Sequence, residues 1–402
     1  MQCVYEQKSQ CYGCTACKNI CPRDAIGMQQ DEEGFEYPNI DSAKCVDCKL
    51  CVKVCPYHSA HSEVEEFEQM YYAVQHLDKN IVSESSSGGM FSALAEEVVK
   101  ANGVVYGATF DEAFEVKHDR AVTREQYHSF VGSKYIQSSM GEIMSNIVAD
   151  LTEERIVMFT GTPCQVAGVR EFVLHKRKTL QGLLLCDFVC HGAASPVVWR
   201  DYVQYLNDKH KEGVTFYHFR GKKDGWHQWK PILRIGNQDI SAEYVKKNSF
   251  LLIYQTCYIN RPSCYSCQFT SYNRVADMTL GDFWNIGSVC PDMDDNTGTS
   301  QVIVNTAIGK EWFERCKDKI RYHQCGKQDV WQPHLEYPTN VSAQKRSDFW
   351  KNYTIESFEY VLKKYGSGNV MAKIKNIAVP IAKKTGLYVI AGKIYRIIFV
   401  KR

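Results

Sequence analysis

The 402-residue chain lacks any run of about 18 consecutive apolar residues, so no membrane-spanning helix is expected in it. Its first residues, MQCVYEQKSQ, also lack the apolar segment of a secretory signal. Neither sign of charge prevails, with 48 Lys and Arg against 46 Asp and Glu for a net charge of +2. That balance lacks the strong basic excess of a nucleic-acid binder, and no nucleic-acid partner is expected. These absences lead to the expectation of a cytoplasmic globular protein, with 44% hydrophobic and 23% charged residues. Cysteine, by contrast, is plentiful, at 18 residues. In a reducing compartment such a count indicates metal or redox chemistry rather than disulfides.

The thiols are ordered. Cys11, Cys14, Cys17 and Cys21 precede Pro22, and Cys45, Cys48, Cys51 and Cys55 precede Pro56, so one CxxCxxCxxxCP spacing occurs twice. This is the ligand run of a bacterial ferredoxin with two 4Fe–4S clusters. Three closely spaced thiolates on one loop can grip three corners of a cubane, while the fourth lies too far along the chain and reaches across. The expected sets are therefore Cys11, Cys14 and Cys17 with Cys55, and Cys45, Cys48 and Cys51 with Cys21. Zinc knuckles take ligands in two pairs and would leave the third Cys of each run over.

Charge is uneven along the chain. Residues 1–70 carry 12 acidic against 6 basic side chains, whereas 360–402 hold ten Lys or Arg and no acid. Asp31 to Tyr37 reads as a turn between short strands, and 61–69 as a linker. Next, Met70 to His76 alternates as a strand. A Ser/Gly-rich loop, Ser83 to Gly89, then opens the helical segment MFSALAEEVVKANG, with Gly103 as its stop. Free N–H groups at such a loop suit a phosphate, but a plain helix cap has the same sequence.

Strands are expected over VVYGATFD and 115–122, a helix over GEIMSNIVADLTEER, and a buried strand, turn and helix over RIVMFTGTPCQVAGVREFV. Cys164 sits in that turn, the kind of place where an α/β sheet collects ligands. Cys190 ends the strand GLLLCDFVC, in which Cys186 alternates into the core, and Ser195-Pro196 caps the helix that follows. Cys264 and Cys267 make a further CxxC. QVIVNT reads as another strand, and helices are expected to dominate after residue 309. Cys257, Cys290, Cys316 and Cys325 lack ligand spacing and read as structural thiols. The tail from Val370 mixes apolar and basic residues, fitting either peripheral contact with an anionic membrane or partner, or a basic helix packed on its own protein.

In order along the chain, SSSGGMFSAL, GSKYIQS, GTPCQVAGVR, CHGAASPVVW, RPSCYSCQFTSYNRVADMTLGDFW and DDNTGTSQVIVNT resemble the beta-subunit family of coenzyme F420 hydrogenases and dehydrogenases. A two-cluster ferredoxin at the N-terminus is a variant of that family, and the resemblance covers roughly residues 1–310. It implies an α+β and α/β chain, with a ferredoxin-like domain over 1–65 and a mixed α/β flavin-binding domain in two regions, 66–150 and 151–335; the helical basic tail expected over 336–402 falls outside the resemblance.

It further implies FAD, with Ser87, Gly88 and Gly89 on its phosphate and Ser133, Lys134 and Tyr135 along the flavin. Thr160, Thr162 and Gln165 complete that pocket, and Cys164, Cys190, Cys264 and Cys267 bind a third 4Fe–4S cluster. The residues independently allow the last set, since two Cys at strand ends and one CxxC can meet at one sheet edge. The competing reading is a structural zinc at Cys264 and Cys267, since four scattered thiolates equally satisfy a tetrahedral site. A catalytic pair of Cys with His191 is disfavoured, because neighbours on a strand point to opposite faces.

The implied activity is an iron–sulfur flavin oxidoreductase, in which a flavin joins a two-electron hydride carrier, F420-like or another small molecule, to one-electron clusters. Lys134 is the candidate catalytic residue, placing positive charge beside the flavin. Two alternatives stay open: an electron-relay subunit serving a redox partner protein, and a ferredoxin-dependent reductase of a metabolite in cell-surface polysaccharide synthesis.

Overall fold

The computed structural model describes residues 4–59, 67–244 and 247–367. Residues 61–66 of the expected linker and the basic tail from residue 368 lie outside the described residues. Residues 4–59 form a small lobe whose halves repeat one backbone path. Gly13 (φ 69°) and Asp47 (φ 50°) are left-handed just before the second cysteine of each run, and Thr15 (φ 64°) and Lys49 (φ 60°) just after it. These residues curl the chain sharply, and a short helix follows in each half, Ala16–Ile20 and Leu50–Lys53. The hairpin of β1 (Ile26–Gln30) and β2 (Glu36–Ile40) joins the halves. Asp31 Oδ1 closes its turn, accepting from the N–H of Glu33 at 3.1 Å and of Phe35 at 2.9 Å.

The rest of the described chain is built on β3 (Met70–His76), β4 (Val104–Phe110), β5 (Val116–Ala121), β6 (Val157–Thr160), β7 (Leu183–Phe188), β8 (Val214–Gly221), β9 (Lys230–Ile235), β10 (Gln238–Asp239), β11 (Met278–Asp282), β12 (Ser300–Val304) and β13 (Ile320–Cys325). Eight of these strands make one sheet in the order β13-β3-β12-β11-β7-β6-β4-β5. Its centre, β11-β7-β6-β4, is parallel, and the strands on either side are antiparallel. Parallel strands are covered on both faces, which is why VMFT and LLLCDF read as near-continuous apolar runs.

Met158, Leu184 and Met278 face the helices Met90–Lys100 and Ala307–Arg315. Val157, Phe159, Leu183 and Leu185 face Ile143–Thr152 and Pro163–Arg177. A separate antiparallel sheet, β10-β9-β8, packs with the helix Pro196–His210 around Trp199 and Phe219.

Among the described residues after 309 helices dominate, as expected, and one unexpected strand interrupts them. Helices Ala307–Arg315, Ala343–Ile355 and Phe358–Tyr365 are present, but β13 lies between them. It is an edge strand with only Ile320 buried, so it has no apolar alternation to read. The Ser/Gly loop is also shorter than expected, because a helix, Lys79–Glu84, capped by Asp78, takes its first residues.

Gly88 sits where the loop crosses the sheet edge. Its carbonyl accepts from His76 N–H at 2.7 Å, and its N–H donates to Ser300 Oγ at 2.9 Å. A Cβ there would lie 2.1 Å from the Val74 carbonyl oxygen and 2.5 Å from the Ser300 nitrogen. The side chain is therefore excluded by the backbone of β3 and β12.

Arg261 fastens the N-terminal lobe to the sheet domain. It is 1% exposed and donates from Nε to the Cys11 carbonyl (2.7 Å), from Nη2 to the Glu36 carbonyl (2.8 Å) and from Nη1 to Gln137 Oε1 (2.8 Å). Tyr37 lies under its guanidinium at 4.3 Å. Around this contact, Ser195 Oγ donates to the Glu33 carbonyl at 2.6 Å, and Arg346 pairs with the Glu33 carboxylate.

Gly88→Ala is expected to cost about 1–3 kcal/mol by overpacking and to lower the melting temperature. Gly27→Ala, with nothing within 4 Å of the added Cβ, should not lower it. Arg261→Met should cost about 3 kcal/mol or more and speed amide exchange in residues 4–59 while β6 and β7 stay protected; unchanged exchange in the lobe would contradict its fastening role.

Candidate functional site

The parallel strands β6, β7 and β11 run in one direction and end at one edge of the sheet. A cavity of about 530 Å³ opens there, as expected outside the carboxyl ends of parallel strands. Its wall includes Ser87 and Gly89 from the loop after β3, Ser133, Lys134 and Tyr135 from the segment before Ile136, Thr160 at the end of β6, and Thr162 and Gln165 beyond it. Cys164, Cys190, Cys264 and Cys267 share the same wall. Gly88 stands apart from this group, since its N–H is already taken by Ser300 and it packs on the sheet.

Local structure explains how these side chains are held. Gly89 (φ 89°) is the left-handed cap of the helix Met90–Lys100, so that helix begins at the cavity. Ser86 Oγ accepts from the N–H of Ser133 at 2.8 Å and from its hydroxyl at 3.0 Å, tying the two expected flavin-binding segments together. Tyr135 stacks on Tyr254 with ring centroids 4.7 Å apart.

Lys134 does not point a free charge into the cavity. Its Nζ donates to the carbonyls of Ser129 (2.8 Å) and Val131 (3.2 Å) on its own loop, and burial lowers its pKa to about 7.

A chain of hydrogen bonds leads from the wall to one cysteine. His118 contacts the Thr160 carbonyl through Nε2 (3.0 Å) and Ser138 Oγ through Nδ1 (2.9 Å). Ser138 Oγ accepts from Gln165 Nε2 at 2.9 Å, and Gln165 Oε1 accepts from the Thr162 N–H at 3.0 Å. The Thr162 hydroxyl lies 3.2 Å from Cys164 Sγ. Burial holds the His118 pKa down at about 4, so its imidazole is neutral.

The four cavity cysteines come from the first turn of the helix Pro163–Arg177 that follows β6, the loop just past β7, and the short helix Pro262–Ser266 with its following residue. Burial, and then the nearness of Cys267, push Cys164 up to about 12; burial also raises Cys264 to about 12 and Cys267 to about 11. Cys190 is raised well above the usual thiol range by burial and by Cys264, Cys164 and Cys267 together. The Gly192 N–H approaches Cys190 Sγ at 3.4 Å and the Ala193 N–H approaches Cys264 Sγ at 3.5 Å. Four mutually close thiols with backbone N–H groups aimed at two of them fit an iron–sulfur cluster, whose irons stabilise thiolates that burial alone would not. Among the described residues, no three His, Cys, Asp or Glu converge on a point that one metal ion could take.

In the lobe, Cys11, Cys14, Cys17 and Cys55 surround one small cavity and Cys21, Cys45, Cys48 and Cys51 a second. This is the crosswise grouping expected from the spacing. Tyr12 lies on the wall of the first of these and of the large cavity, and Cys14 packs against Gly168 of the helix that Cys164 begins. Arg261 Nη2 lies 3.4 Å from Cys11 Sγ, and its charge also favours the thiolates of Cys164 and Cys264. Cys48 is exposed.

Sequence reasoning passed over Tyr12, His118, Ser138, Arg220, Arg261 and Asp282, all on the cavity wall. None lies in a spaced pattern, although Arg220 shares its segment with Gly221, Gly225 and Trp226. His191 also lines the cavity and packs on His334, with ring centroids 4.1 Å apart. It lies beyond the end of β7, where strand alternation no longer separates it from Cys190.

Residues 154–328 match the family described as the C terminus of the coenzyme F420 hydrogenase/dehydrogenase beta subunit, and residues 10–59 match the 4Fe-4S dicluster domain. No curated protein matches the chain. Among solved structures, the chain is similar to a chain of the F420-reducing NiFe hydrogenase complex from Methanosarcina barkeri, determined as a xenon derivative. The identity is 17% and the TM-score 0.44, over 72% of this chain and 89% of that one. Among the described residues, no helix is long and apolar enough to cross a membrane. A 4Fe-4S dicluster domain at residues 10–59 thus precedes, at residues 154–328, the C-terminal domain of the coenzyme F420 hydrogenase/dehydrogenase beta-subunit family, which makes the chain an iron–sulfur protein of oxidoreductase type.

Proposed function

We propose that the chain is a flavin-dependent oxidoreductase that passes electrons between a hydride-carrying small molecule and 4Fe–4S clusters. The observation that carries this reading is the shared wall: the expected flavin-contacting residues and four half-buried thiols line one cavity of about 530 Å³, whose far side abuts the lobe through Tyr12 and Arg261. FAD would sit against Ser87, Gly89, Ser133, Lys134, Tyr135, Thr160, Thr162 and Gln165. A third cluster would be held by Cys164, Cys190, Cys264 and Cys267, and two more by the crosswise sets of the lobe. A flavin supplies the junction between two-electron hydride exchange and one-electron transfer, which clusters carry.

The chain's own residues set the conditions for that chemistry. Ser86 and Ser133 clamp the loop and the Lys134 segment together, fixing the width of the cavity. The Thr162 hydroxyl donates to Gln165 Oε1 at 3.0 Å and lies 3.2 Å from Cys164 Sγ; turned to a ligating sulfur, that hydrogen would raise cluster potential. Lys134 Nζ keeps its third proton below pH about 7 and loses it above. A cationic Nζ favours negative charge on a neighbouring ligand, so this help is present at low pH and fades as pH rises.

A relay reading, in which substrate chemistry occurs on a partner, is favoured by one observation. Cys48 is exposed and Val46 is 60% exposed beside the second lobe cavity, a surface suited to handing electrons to another protein. Turnover of a hydride donor by the purified chain with an artificial one-electron acceptor supports the enzyme; inertness until a partner is added supports the relay.

Cys14→Ala is expected to remove one lobe cluster and block electron exit while flavin reduction by a hydride donor persists, as read by rapid-mixing absorbance. Loss of both together would contradict the proposed order. Lys134→Met should lower the flavin midpoint potential by tens of millivolts, with the gap from wild type widest below pH 7 and closing above it. Equal potentials at every pH would remove Lys134 from the flavin.

A further inference from the structure

Arg220, at the end of β8, is one of the least exposed charged residues in the chain, at 3%, and it lines the large cavity. Its guanidinium is flanked by Trp229, with the ring centroid 4.6 Å from Cζ, and by Trp284, at 4.9 Å. One terminal nitrogen, Nη1, pairs with Asp282 Oδ2 at 2.5 Å. The other two nitrogens, Nε and Nη2, are buried and have no hydrogen-bond partner, and Asp282 Oδ1 also lacks one. The Tyr135 phenol approaches the guanidinium and helps hold its charge, without closing a hydrogen bond to those two nitrogens.

Leaving such groups unpaired is costly, and a native site that does so calls for an occupant. Nε and Nη2 are the two nitrogens that form the side fork of a guanidinium. Elsewhere in this chain that fork is filled: Arg120 grips the Asp150 carboxylate with Nε at 2.8 Å and Nη2 at 2.7 Å. The empty fork of Arg220 has the same two donors, and Trp229 and Trp284 lie against its guanidinium.

We propose that Arg220 is the anchor of an oxyanion subsite in the cavity, holding a carboxylate or phosphate through Nε and Nη2. Asp282 Oδ1 beside it accepts from a hydroxyl or N–H on the same ligand. The ligand is therefore an oxyanion with a hydrogen-bond donor close to it, and guanidinium geometry makes Arg220→Lys a non-conservative change. Lys222 supports the arrangement by pinning the carbonyls of Val82 and Thr297, at 2.7 and 2.8 Å, and that of Ser87. This subsite goes beyond the proposed flavin and cluster contacts and stands whether or not the cavity takes a flavin.

The test uses inorganic phosphate and acetate as minimal oxyanions, titrated into full-length protein before and after removal of its non-covalently bound cofactor. Tryptophan fluorescence is the readout. Wild type should show a saturable change, which Trp229→Phe diminishes without altering the midpoint, and Arg220→Lys should weaken binding roughly ten- to hundred-fold. Binding to stripped protein alone assigns the fork to a phosphate of the resident cofactor, and binding to both forms assigns it to a substrate oxyanion. A preparation without flavin leaves the titration unaffected, so failure of the flavin reading is distinguishable from failure of this one. The proposal is overturned if wild type shows no saturable binding of either anion, or if a folded Arg220→Lys binds as tightly. Should Arg220→Lys fail to fold, the wild-type and Trp229→Phe titrations alone decide.

Discussion

A single buried guanidinium holds the two parts of this chain in register. Arg261 reaches from the loop before Cys264 into the N-terminal lobe, where it donates to the backbone of Cys11 and Glu36 and lies close to the Cys11 sulfur. The same side chain grips Gln137, whose amide donates to the Tyr12 carbonyl. A lysine could not form this fan of bonds, because it lacks a planar fork. The positive charge lies between two groups of cysteines that would be anionic with clusters in place, so one residue meets both a packing demand and an electrostatic one.

Burial gives the cavity its chemical character. Thiols at Cys164, Cys190, Cys264 and Cys267 are all pushed upward by desolvation and by one another, so as free side chains they stay protonated and unreactive. Iron changes that balance by stabilising thiolates directly. Lys134 and His118 are pushed the other way, toward neutrality, by the same loss of water. Arg220 alone among these groups keeps its charge regardless, which is why its unfilled fork identifies a ligand position more firmly than the lysine does.

The lobe was legible because its ligands are local. Each run of cysteines fits on one tight loop, and the structure repeats that loop down to the left-handed residues at Gly13 and Asp47. Cys164 and Cys190 were legible because strand ends are marked by apolar runs followed by turn residues. Gly88 was half legible: it is a required glycine, yet the requirement comes from the approach of Val74 and Ser300, while its neighbours Ser87 and Gly89 face the cavity. Arg220, Asp282, Trp229 and Trp284 were not legible. The first two lie 62 positions apart, and all four sit on unpatterned segments that meet only through folding. Strand β13 escaped for a related reason, since an edge strand with one buried residue has no periodicity to detect.

The central claim is that twelve cysteines hold three cubane clusters beside a bound flavin. Anaerobic purification of the full chain, followed by iron, sulfide and flavin analysis on one sample, tests it most directly. The account predicts about twelve irons and twelve sulfides per chain, as three 4Fe–4S clusters require, with one FAD. A folded product that contains zinc in place of iron, or that stays colourless when supplied with iron, sulfide and FAD, would contradict it.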